Sequence, residues 1–329
     1  MTTKMLRLLK HIVLAGLIFV LAIACNSDGP ADLPTASEAS TSSATRLIKH
    51  DLGETEIPVD PQRVVTLTEA WLLAPAITLG IKPIATTTYQ ASDGIPFRGV
   101  TPEQVEGIEI LGDGHQPSLE KLLALKPDLI LADANLHRQI YNQLSAIAPT
   151  VALDLFSKGD SFKDGFRRIA YILDKTERAE QLLDQYQDRV NQFKQVMGNR
   201  LDELRISFIA IYGELSTLES FWLAYEVFSD VGLKLIPIQE KMAHSGNAGF
   251  SIETLPEHDG DFLFIEKYPS QDVEDILSSP LWQELDAVTS GNYLEVSPQR
   301  WQGFCMIFAN NILDDLFKYI AENPALEHI

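Results

Sequence analysis

Residues 118–132 read SLEKLLALKPDLILA, a helix-forming segment that leads directly into a short apolar run. Residues 118–125 are predicted to form a helix that ends before Pro127, because the residue in front of a proline is displaced from helical backbone angles. Residues 128–132 are nearly all apolar, which is typical of a strand covered on both faces. This unit therefore predicts a buried parallel strand packed against helices.

The same alternation of short apolar runs and helical patterns continues on both sides of this unit. Before residue 160, further strands are predicted at 63–67, 83–87 and 151–153, with helices at 70–79 and 135–146. Beyond residue 200, strands are predicted at 206–212, 261–265 and 293–296, with helices at 221–231, 251–255, 273–278 and 305–320. Strands separated by helices indicate mainly parallel sheets flanked by helices. The predicted fold class is α/β with two lobes.

A longer helical pattern separates the two alternating regions. From residue 176 to residue 198 apolar side chains recur at helical spacing, without an interrupting glycine or proline. A helix of about 23 residues is about 35 Å long. It could pack as an ordinary element of one lobe, but its length favours a rigid connector between two lobes. The predicted organisation is an amino-terminal lobe at 46–174, a connecting helix at 175–198 and a carboxy-terminal lobe at 199–329.

Charge and cysteine content argue against several classes of protein. The 329 residues include 46 acidic and 26 basic side chains, which gives a formal net charge of -20 and a pI of about 4.7. A nucleic-acid-binding protein would instead carry a basic stripe. The chain has two cysteines, Cys25 and Cys305. Since Cys25 has a separate role, described next, no disulfide framework is expected.

The first 25 residues have the pattern of an export signal. Basic residues near the start precede an apolar run, and small residues lead up to Cys25. The run of about 12 apolar residues is shorter than the roughly 20 needed to span a bilayer as a helix. The sequence LAIAC at 21–25 resembles a bacterial lipobox, in which Cys25 becomes the lipidated first residue of the mature chain. Plain secretion is the alternative.

These features predict a lipoprotein signal peptide at 1–24 and a flexible tether at 25–45. The tether is rich in Ser, Thr and Ala and poor in large apolar residues, so it cannot bury enough surface to order itself. The folded body is therefore expected in the periplasm or otherwise outside the cytoplasm, held at the membrane by the lipid on Cys25.

Several motifs together resemble one known family. They are RVV at 63–65, LGIKPI at 79–84, SLEKLLALKPDLI at 118–130, IAPTV at 147–151, SIETL at 251–255, SPLW at 279–282 and NYL at 292–294. Over about residues 55 to 320 the chain resembles the substrate-binding lipoproteins of ABC importers for iron-siderophores and cobalamin. The resemblance implies two α/β lobes joined by one rigid helix, a ligand captured in the cleft between the lobes, and limited hinge motion.

Aromatic and basic residues lie in the loops that follow the predicted strands. In parallel sheets ligands bind beyond the carboxyl ends of the strands. The candidate ligand-binding residues in these loops are Trp71, Arg98, Arg138, Tyr212, Trp222, Arg300 and Trp301. Guanidinium groups match carboxylate or hydroxamate oxygens, and aromatic faces cover an organic shell such as that of a ferric siderophore. The ordinary alternatives are rim packing for the tryptophans and surface ion pairs for the arginines.

Glu120 and Glu253 occupy equivalent positions in two similar motifs, SLE and SIE. A serine N-cap followed by an acid in the first turn stabilises any helix, which is a sufficient local explanation for both residues. In the resembling family, glutamates at these motif positions project from each lobe and pair with arginines of the membrane permease. The resemblance therefore implies a permease-docking role for Glu120 and Glu253.

Patterns typical of enzymes and of metal sites are missing from the sequence. It contains neither a G-x-S-x-G nor an H-E-x-x-H motif. Four histidines that could suggest a metal, His115, His137, His244 and His258, lack close ligand spacing. No catalytic residue, metal site or cofactor is predicted, and iron would enter only as a ferric siderophore complex.

The principal hypothesis is a monomeric extracytoplasmic lipoprotein that captures a ferric siderophore and delivers it to the ABC permease of the cytoplasmic membrane. Two alternatives remain open from the sequence alone. One is a capture protein for cobalamin or haem, and the other is an exported α/β hydrolase.

Overall fold

The structure, a computed structural model, describes residues 44–89, 97–155, 160–218, 222–245, 248–267 and 273–326. The predicted signal peptide, Cys25 and nearly all of the predicted tether lie outside the described residues. Within these ranges no helix is both long enough and apolar enough to cross a membrane.

The described chain begins with an antiparallel hairpin. Strand β1 (Thr45–His50) pairs with β2 (Gly53–Pro58) through a turn at residues 51–52. Each strand buries one side chain completely, Ile48 in β1 and Ile57 in β2. This hairpin is not predicted from the sequence, because charged and polar residues obscure the alternation that marks a strand.

Five parallel strands form the sheet of the amino-terminal lobe. They are β3 (Val64–Thr66), β4 (Ala85–Thr88), β5 (Glu109–Asp113), β6 (Leu129–Asp133) and β7 (Thr150–Leu153). Their spatial order is β5-β4-β3-β6-β7, which places β3 at the centre. Every residue of β3, β6 and β7 is buried, as expected for a parallel sheet covered by helices. Of the five strands, only β5 is absent from the sequence prediction.

Short helices accompany this sheet. They are α1 (Ala74–Thr78), α2 (Pro102–Val105), α3 (Leu119–Leu125), α4 (Tyr141–Ile147) and α5 (Phe162–Ile172), and a π-helical turn at Glu69–Leu73 leads into α1. The helix predicted at 135–146 is wrong at its start. Oδ1 of Asp133 accepts the N–H groups of Asn135 and Leu136, each at 2.8 Å, and this turn delays the helix until Tyr141.

One long helix, α6 (Thr176–Met197), connects the two lobes, as predicted. Tyr186 and Val190 on its buried face belong to a hydrophobic core that also contains Leu131 of the amino-terminal sheet and Phe264 of the carboxy-terminal sheet. The helix is therefore a connector that also packs against both lobes. Consistent with this shared core, the described residues form one compact unit.

The sheet of the carboxy-terminal lobe has six strands and is mainly parallel. They are β8 (Arg205–Ile211), β9 (Leu215–Ser216), β10 (Lys234–Leu235), β11 (Gly249–Phe250), β12 (Phe262–Lys267) and β13 (Tyr293–Val296). Strands β8, β12 and β13 run parallel and form the centre and one edge. On the other edge of β8, β10 pairs in parallel at its start and the antiparallel pair β9-β11 extends from its end.

The helices of this lobe are mostly short. They are α7 (Arg200–Glu203), α8 (Leu223–Val231), α9 (Pro237–Ala243), α10 (Glu274–Leu277), α11 (Pro280–Gln283), α12 (Asp286–Thr289), α13 (Pro298–Trp301) and α14 (Met306–Leu316). A π-helical segment, Phe317–Ala321, prolongs α14. The short helix predicted at 251–255 is a 3-10 helix, Ile252–His258. The fold as a whole is the predicted α/β class.

Candidate functional site

A cavity of about 320 Å³ lies at the carboxyl ends of strands from both sheets. In the amino-terminal lobe, the cavity is lined by the segments that follow β3 and β4. In the carboxy-terminal lobe, it is lined by residues of β8 and β12 and by the segments that follow β9 and β13. Its lining residues are Trp71, Arg98, Phe208, Leu218, Trp222, Leu223, Ala224, Glu266, Trp301, Gln302, Gly303 and Phe304. This is the location at which parallel sheets bind ligands.

The walls of the cavity are dominated by three tryptophans. Trp71 comes from the π-helical turn after β3, Trp222 directly precedes α8, and Trp301 ends α13. Trp301 is 3% exposed, and its Nε1 donates to Oδ2 of Asp315 at 2.8 Å. Its ring stacks on Phe208 with centroids 6.4 Å apart. Trp301 is therefore a fixed wall, whereas Trp71 and Trp222 are only half-buried.

A buried ion pair forms the polar part of the cavity on the amino-terminal side. Glu69 Oε1 accepts from Arg98 Nε at 2.7 Å and lies 2.6 Å from Nη2 of the same guanidinium. Both side chains are less than a tenth exposed. The Arg98 guanidinium also lies over the ring of Tyr89, 4.1 Å from its centroid. These contacts satisfy a buried charge and fix the orientation of Arg98.

Arg98 is linked by hydrogen bonds to the opposite lobe. Its Nη1 donates to Oε1 of Gln302 at 3.2 Å. Nε2 of Gln302 then donates to the hydroxyl of Tyr212 at 2.7 Å and to Oε2 of Glu266 at 3.2 Å, and the Tyr212 hydroxyl donates to the same Oε2. Together with Glu69, these residues form one polar network that crosses from one lobe to the other.

Glu266 is the buried acid of this network. It lies next to the last residue of β12 and is 1% exposed. Burial raises the pKa of Glu266 to about 7, although hydrogen bonds from Tyr212 and Gln302 and the charge of Arg98 act in the opposite direction. The carboxyl is therefore close to half-protonated at neutral pH.

The sequence profile of the periplasmic binding protein family matches residues 100–299, more than half of the chain. The chain belongs to the periplasmic binding protein family. Members of this family bind solutes, and the two-lobed fold with a cavity at the strand ends is consistent with that class.

Individual periplasmic binding proteins resemble this chain over nearly its whole length. A probable siderophore-binding lipoprotein of Bacillus subtilis, YfiY, is 29% identical over 328 residues, covering 94% of this chain and 98% of YfiY. The Fe(3+)-citrate-binding protein YfmC of the same organism is 29% identical, with 92% of each chain covered. Staphylococcus aureus SirA, solved in complex with staphyloferrin B, has a TM-score of 0.69 and 28% identity, covering 84% of this chain and 98% of SirA.

Four of the candidate ligand-binding residues meet in the cavity of this periplasmic binding protein. Trp71, Arg98, Trp222 and Trp301 line it, and Tyr212 contacts the lining residues Gln302 and Glu266. Within the described ranges, the other two candidates stand outside the lining. Arg138 is exposed on the segment before α4, and Arg300 is exposed and pairs with Asp315, Nη2 to Oδ1, at 3.1 Å.

The acids and the amide of the polar network are not among the site residues predicted from the sequence. Glu69, Glu266 and Gln302 are absent from the candidate set, although Glu69 and Gln302 closely follow strands. The available signal was position: Glu69 comes three residues after β3, and Glu266 is an acid near the end of an otherwise apolar strand. The sequence also does not show that the charge of Arg98 is balanced by its pairing with Glu69.

The two candidate docking glutamates are both exposed, one in each lobe. Glu120 lies in the first turn of α3, where Ser118 is the N-cap and its Oγ accepts from Lys121 N at 3.4 Å. Glu253 lies in the first turn of the 3-10 helix at Ile252–His258. A hydrogen bond with the Ser251 side chain lowers the pKa of Glu253, so this carboxylate is ionised at neutral pH.

The described histidines have local structural partners. His137 is buried, with Nε2 2.8 Å from the carbonyl oxygen of Gly114, and His258 stacks on Phe250 with centroids 3.6 Å apart. Across the part of the chain that the structure describes, no three His, Cys, Asp or Glu side chains are grouped so that they could hold a metal ion.

Proposed function

We propose that this periplasmic binding protein captures a ferric siderophore in the cavity between its lobes and delivers it to an ABC importer. The observation that carries the proposal is the cavity itself, whose aromatic walls surround a polar network containing one arginine. A ferric siderophore presents an organic shell with anionic oxygens to the protein, so aromatic faces and a guanidinium are suitable partners.

The relatives support the same ligand class. YfiY is named as a probable siderophore-binding lipoprotein and YfmC as a ferric-citrate-binding protein, and SirA holds staphyloferrin B in its solved structure. Because the siderophore already satisfies the coordination of iron, the protein needs no metal ligand of its own. Arg98 would contact the outer oxygens of the complex while it stays paired with Glu69.

The cellular setting is part of the proposal. Cys25 would carry the lipid that anchors the protein outside the cytoplasm, and the part of the predicted 25–45 tether that precedes β1 would hold the folded body at the membrane. The protein would act as a monomer whose exposed glutamates, Glu120 and Glu253, meet arginines of the permease. The relative YfiY carries the name lipoprotein, which supports the anchored form.

A fluorescence titration tests the capture of ligand. Three of the four tryptophans line the cavity, so a bound ferric complex should quench much of the emission. The purified protein in detergent micelles is titrated with ferric hydroxamate, citrate-hydroxamate, catecholate and dicitrate complexes, with cobalamin and haemin for comparison. Saturable quenching by one ferric class is expected, and silence across all ferric classes would contradict the proposal.

A matched pair of variants locates the quenching. Trp282 lies in a separate hydrophobic cluster of the carboxy-terminal lobe, so Trp282→Phe should keep most of the quenched amplitude. Trp222→Phe removes a half-buried ring from the cavity wall and should lose a clear share of that amplitude. Equal losses in the two variants would place the ligand outside this cavity.

A further inference from the structure

Glu266 places a buried carboxyl group in the wall of the proposed ligand cavity. Of the described lining residues, Glu266 and Arg98 are the two with charged side chains. Glu266 is almost fully buried, yet any ligand that fills the cavity meets its side chain. The charge state of this residue therefore affects which ligands the cavity accepts.

The positive charge of Arg98 is already balanced by another residue. Its guanidinium contacts Glu69 at 2.6 and 2.7 Å, whereas it reaches Glu266 only through Gln302. The Glu69–Arg98 pair is neutral as a unit. When Glu266 is ionised, the charges of Arg98, Glu69 and Glu266 therefore sum to one negative charge at the described lining of the cavity.

The groups packed against Glu266 hold its carboxylate without neutralising it. Tyr212, at the end of β8, and Gln302, after α13, both donate hydrogen bonds to Oε2. From the amino-terminal lobe, Arg98 adds a favourable charge, and Glu69 lies behind it. Both hydrogen bonds end on Oε2, which leaves Oε1 as the position for a proton. Burial has already brought the pKa of this group to about 7.

Building on the proposed function, we propose that Glu266 takes up one proton from solvent, on Oε1, when an anionic ferric complex enters the cavity. A buried carboxylate repels a second anion strongly, because the low dielectric of the site screens the interaction poorly. Protonation removes this repulsion, and the neutral carboxyl can donate a hydrogen bond to a ligand oxygen. Glu266 is thereby a specificity-determining residue for ligand charge.

Proton uptake makes the affinity for an anionic complex depend on pH. The apparent Kd is lowest below the pKa of Glu266 in the free protein, because the group is already protonated there. Above that pKa the Kd rises about tenfold per pH unit, since each binding event must recruit a proton. An uncharged ferric trishydroxamate adds no negative charge, so its Kd changes less over the same range.

Calorimetry at pH 7.5 in two buffers of different ionisation enthalpy counts the protons taken up on binding. The probes are ferric dicitrate and a ferric tris-catecholate, both anionic, and an uncharged ferric trishydroxamate. The wild type is compared with Glu266→Gln and with Glu203→Gln, an exposed glutamate on α7 at the opposite end of β8. With an anionic complex, the wild type and Glu203→Gln should take up about 0.8 proton more than Glu266→Gln.

The difference in proton uptake between two variants reports on the protein alone, because any protons exchanged by the ligand itself are the same in both measurements. Equal proton uptake in the wild type and Glu266→Gln would overturn the inference about Glu266 but leave the proposed function standing. The same would follow if the protein bound the trishydroxamate but neither of the anionic complexes. If the protein bound none of the probes, both the inference and the proposed function would be overturned.

Tyr212→Phe gives a second test: without the Tyr212 hydrogen bond the pKa of Glu266 rises further, so proton uptake at pH 7.5 should fall below that of the wild type.

Discussion

Glu69 and Arg98 form a buried ion pair that also joins the polar network of the cavity. Both side chains are buried, and the guanidinium contacts the carboxylate through Nε and Nη2. Removing one partner of a buried pair leaves the other as an uncompensated charge in a poor solvent. Because Arg98 also donates to Gln302 of the other lobe, loss of Glu69 would disturb the polar network as well.

Glu69→Gln is expected to lower the free energy of unfolding by about 3 kcal/mol, because it removes the charge that balances buried Arg98. Urea denaturation measures this loss. The control is Glu180→Gln, which breaks the Arg167–Glu180 pair, in which the guanidinium also donates through Nε and Nη2 but both side chains are nearly half exposed. That loss should stay below about 1 kcal/mol. Similar losses in the two variants would contradict the role given to burial.

Single residues of the site differ in how readily the sequence reveals them. Trp71, Arg98 and Trp301 could be predicted because they are large or charged residues in segments that follow apolar strands. Glu69 and Glu266 also lie near strand ends, but their contacts could not be predicted, because those contacts join positions that are distant in the sequence. Arg98 is 29 residues from Glu69 and 204 residues from Gln302, and a single sequence carries no signal of such pairings.

Helix α14 packs closely against two glycines near the cavity. The ring of Phe308 on this helix lies against the backbone of Gly99 from the amino-terminal lobe and Gly303 from the cavity lining. A Cβ at Gly303 would lie 1.9 Å from Cε2 of Phe308, and one at Gly99 would lie 2.4 Å from its Cζ. Glycine is therefore required at both positions for the helix to approach this closely.

Gly303→Ala is expected to destabilise the protein by about 2 kcal/mol, because the added methyl group forces the Phe308 ring and α14 to shift. Thermal denaturation of four variants tests the cause: Gly303→Ala, Phe308→Leu, the two changes combined, and Gly291→Ala. Phe308→Leu in the Gly303→Ala background should restore part of the loss, since the smaller side chain makes room. Gly291→Ala has no atom within 4 Å of the added Cβ and should cost about 1 kcal/mol, from its left-handed backbone angle alone. A double variant no better than the sum of its single changes would refute this packing account.

The helices and strands that are most fully buried are the ones that the sequence predicts best. The central strands β3, β6 and β8 are nearly continuous apolar runs, and α6 has an uninterrupted helical period, so the sequence identifies them. The hairpin of β1 and β2 is half exposed and lacks such a pattern. The late start of α4 depends on one side-chain turn at Asp133, which competes with helix formation where periodicity alone favours it.

At the scale of the whole molecule, the two lobes share a hydrophobic core and are joined by hydrogen bonds as well as by α6. The core along α6 includes residues of both sheets. A backbone hydrogen bond of 3.1 Å joins Gly99 N to Gln299 O, and Phe162 N on α5 donates to both oxygens of Glu226 on α8, at 3.1 and 3.2 Å. These contacts would have to break in a large opening, so we expect ligand binding to change the angle between the lobes only slightly.

Two lobes that keep nearly the same separation can present a permease with two charges at a fixed spacing. Replacing both exposed glutamates, Glu120→Ala with Glu253→Ala, should therefore abolish siderophore-dependent uptake in cells. The Kd for the ferric complex should stay unchanged, because neither glutamate is among the described residues that line the cavity. Glu203→Ala, also exposed, serves as the charge-loss control and should transport normally. Weakened ligand binding in the double variant would assign the glutamates to the ligand site instead, and normal uptake would remove them from docking.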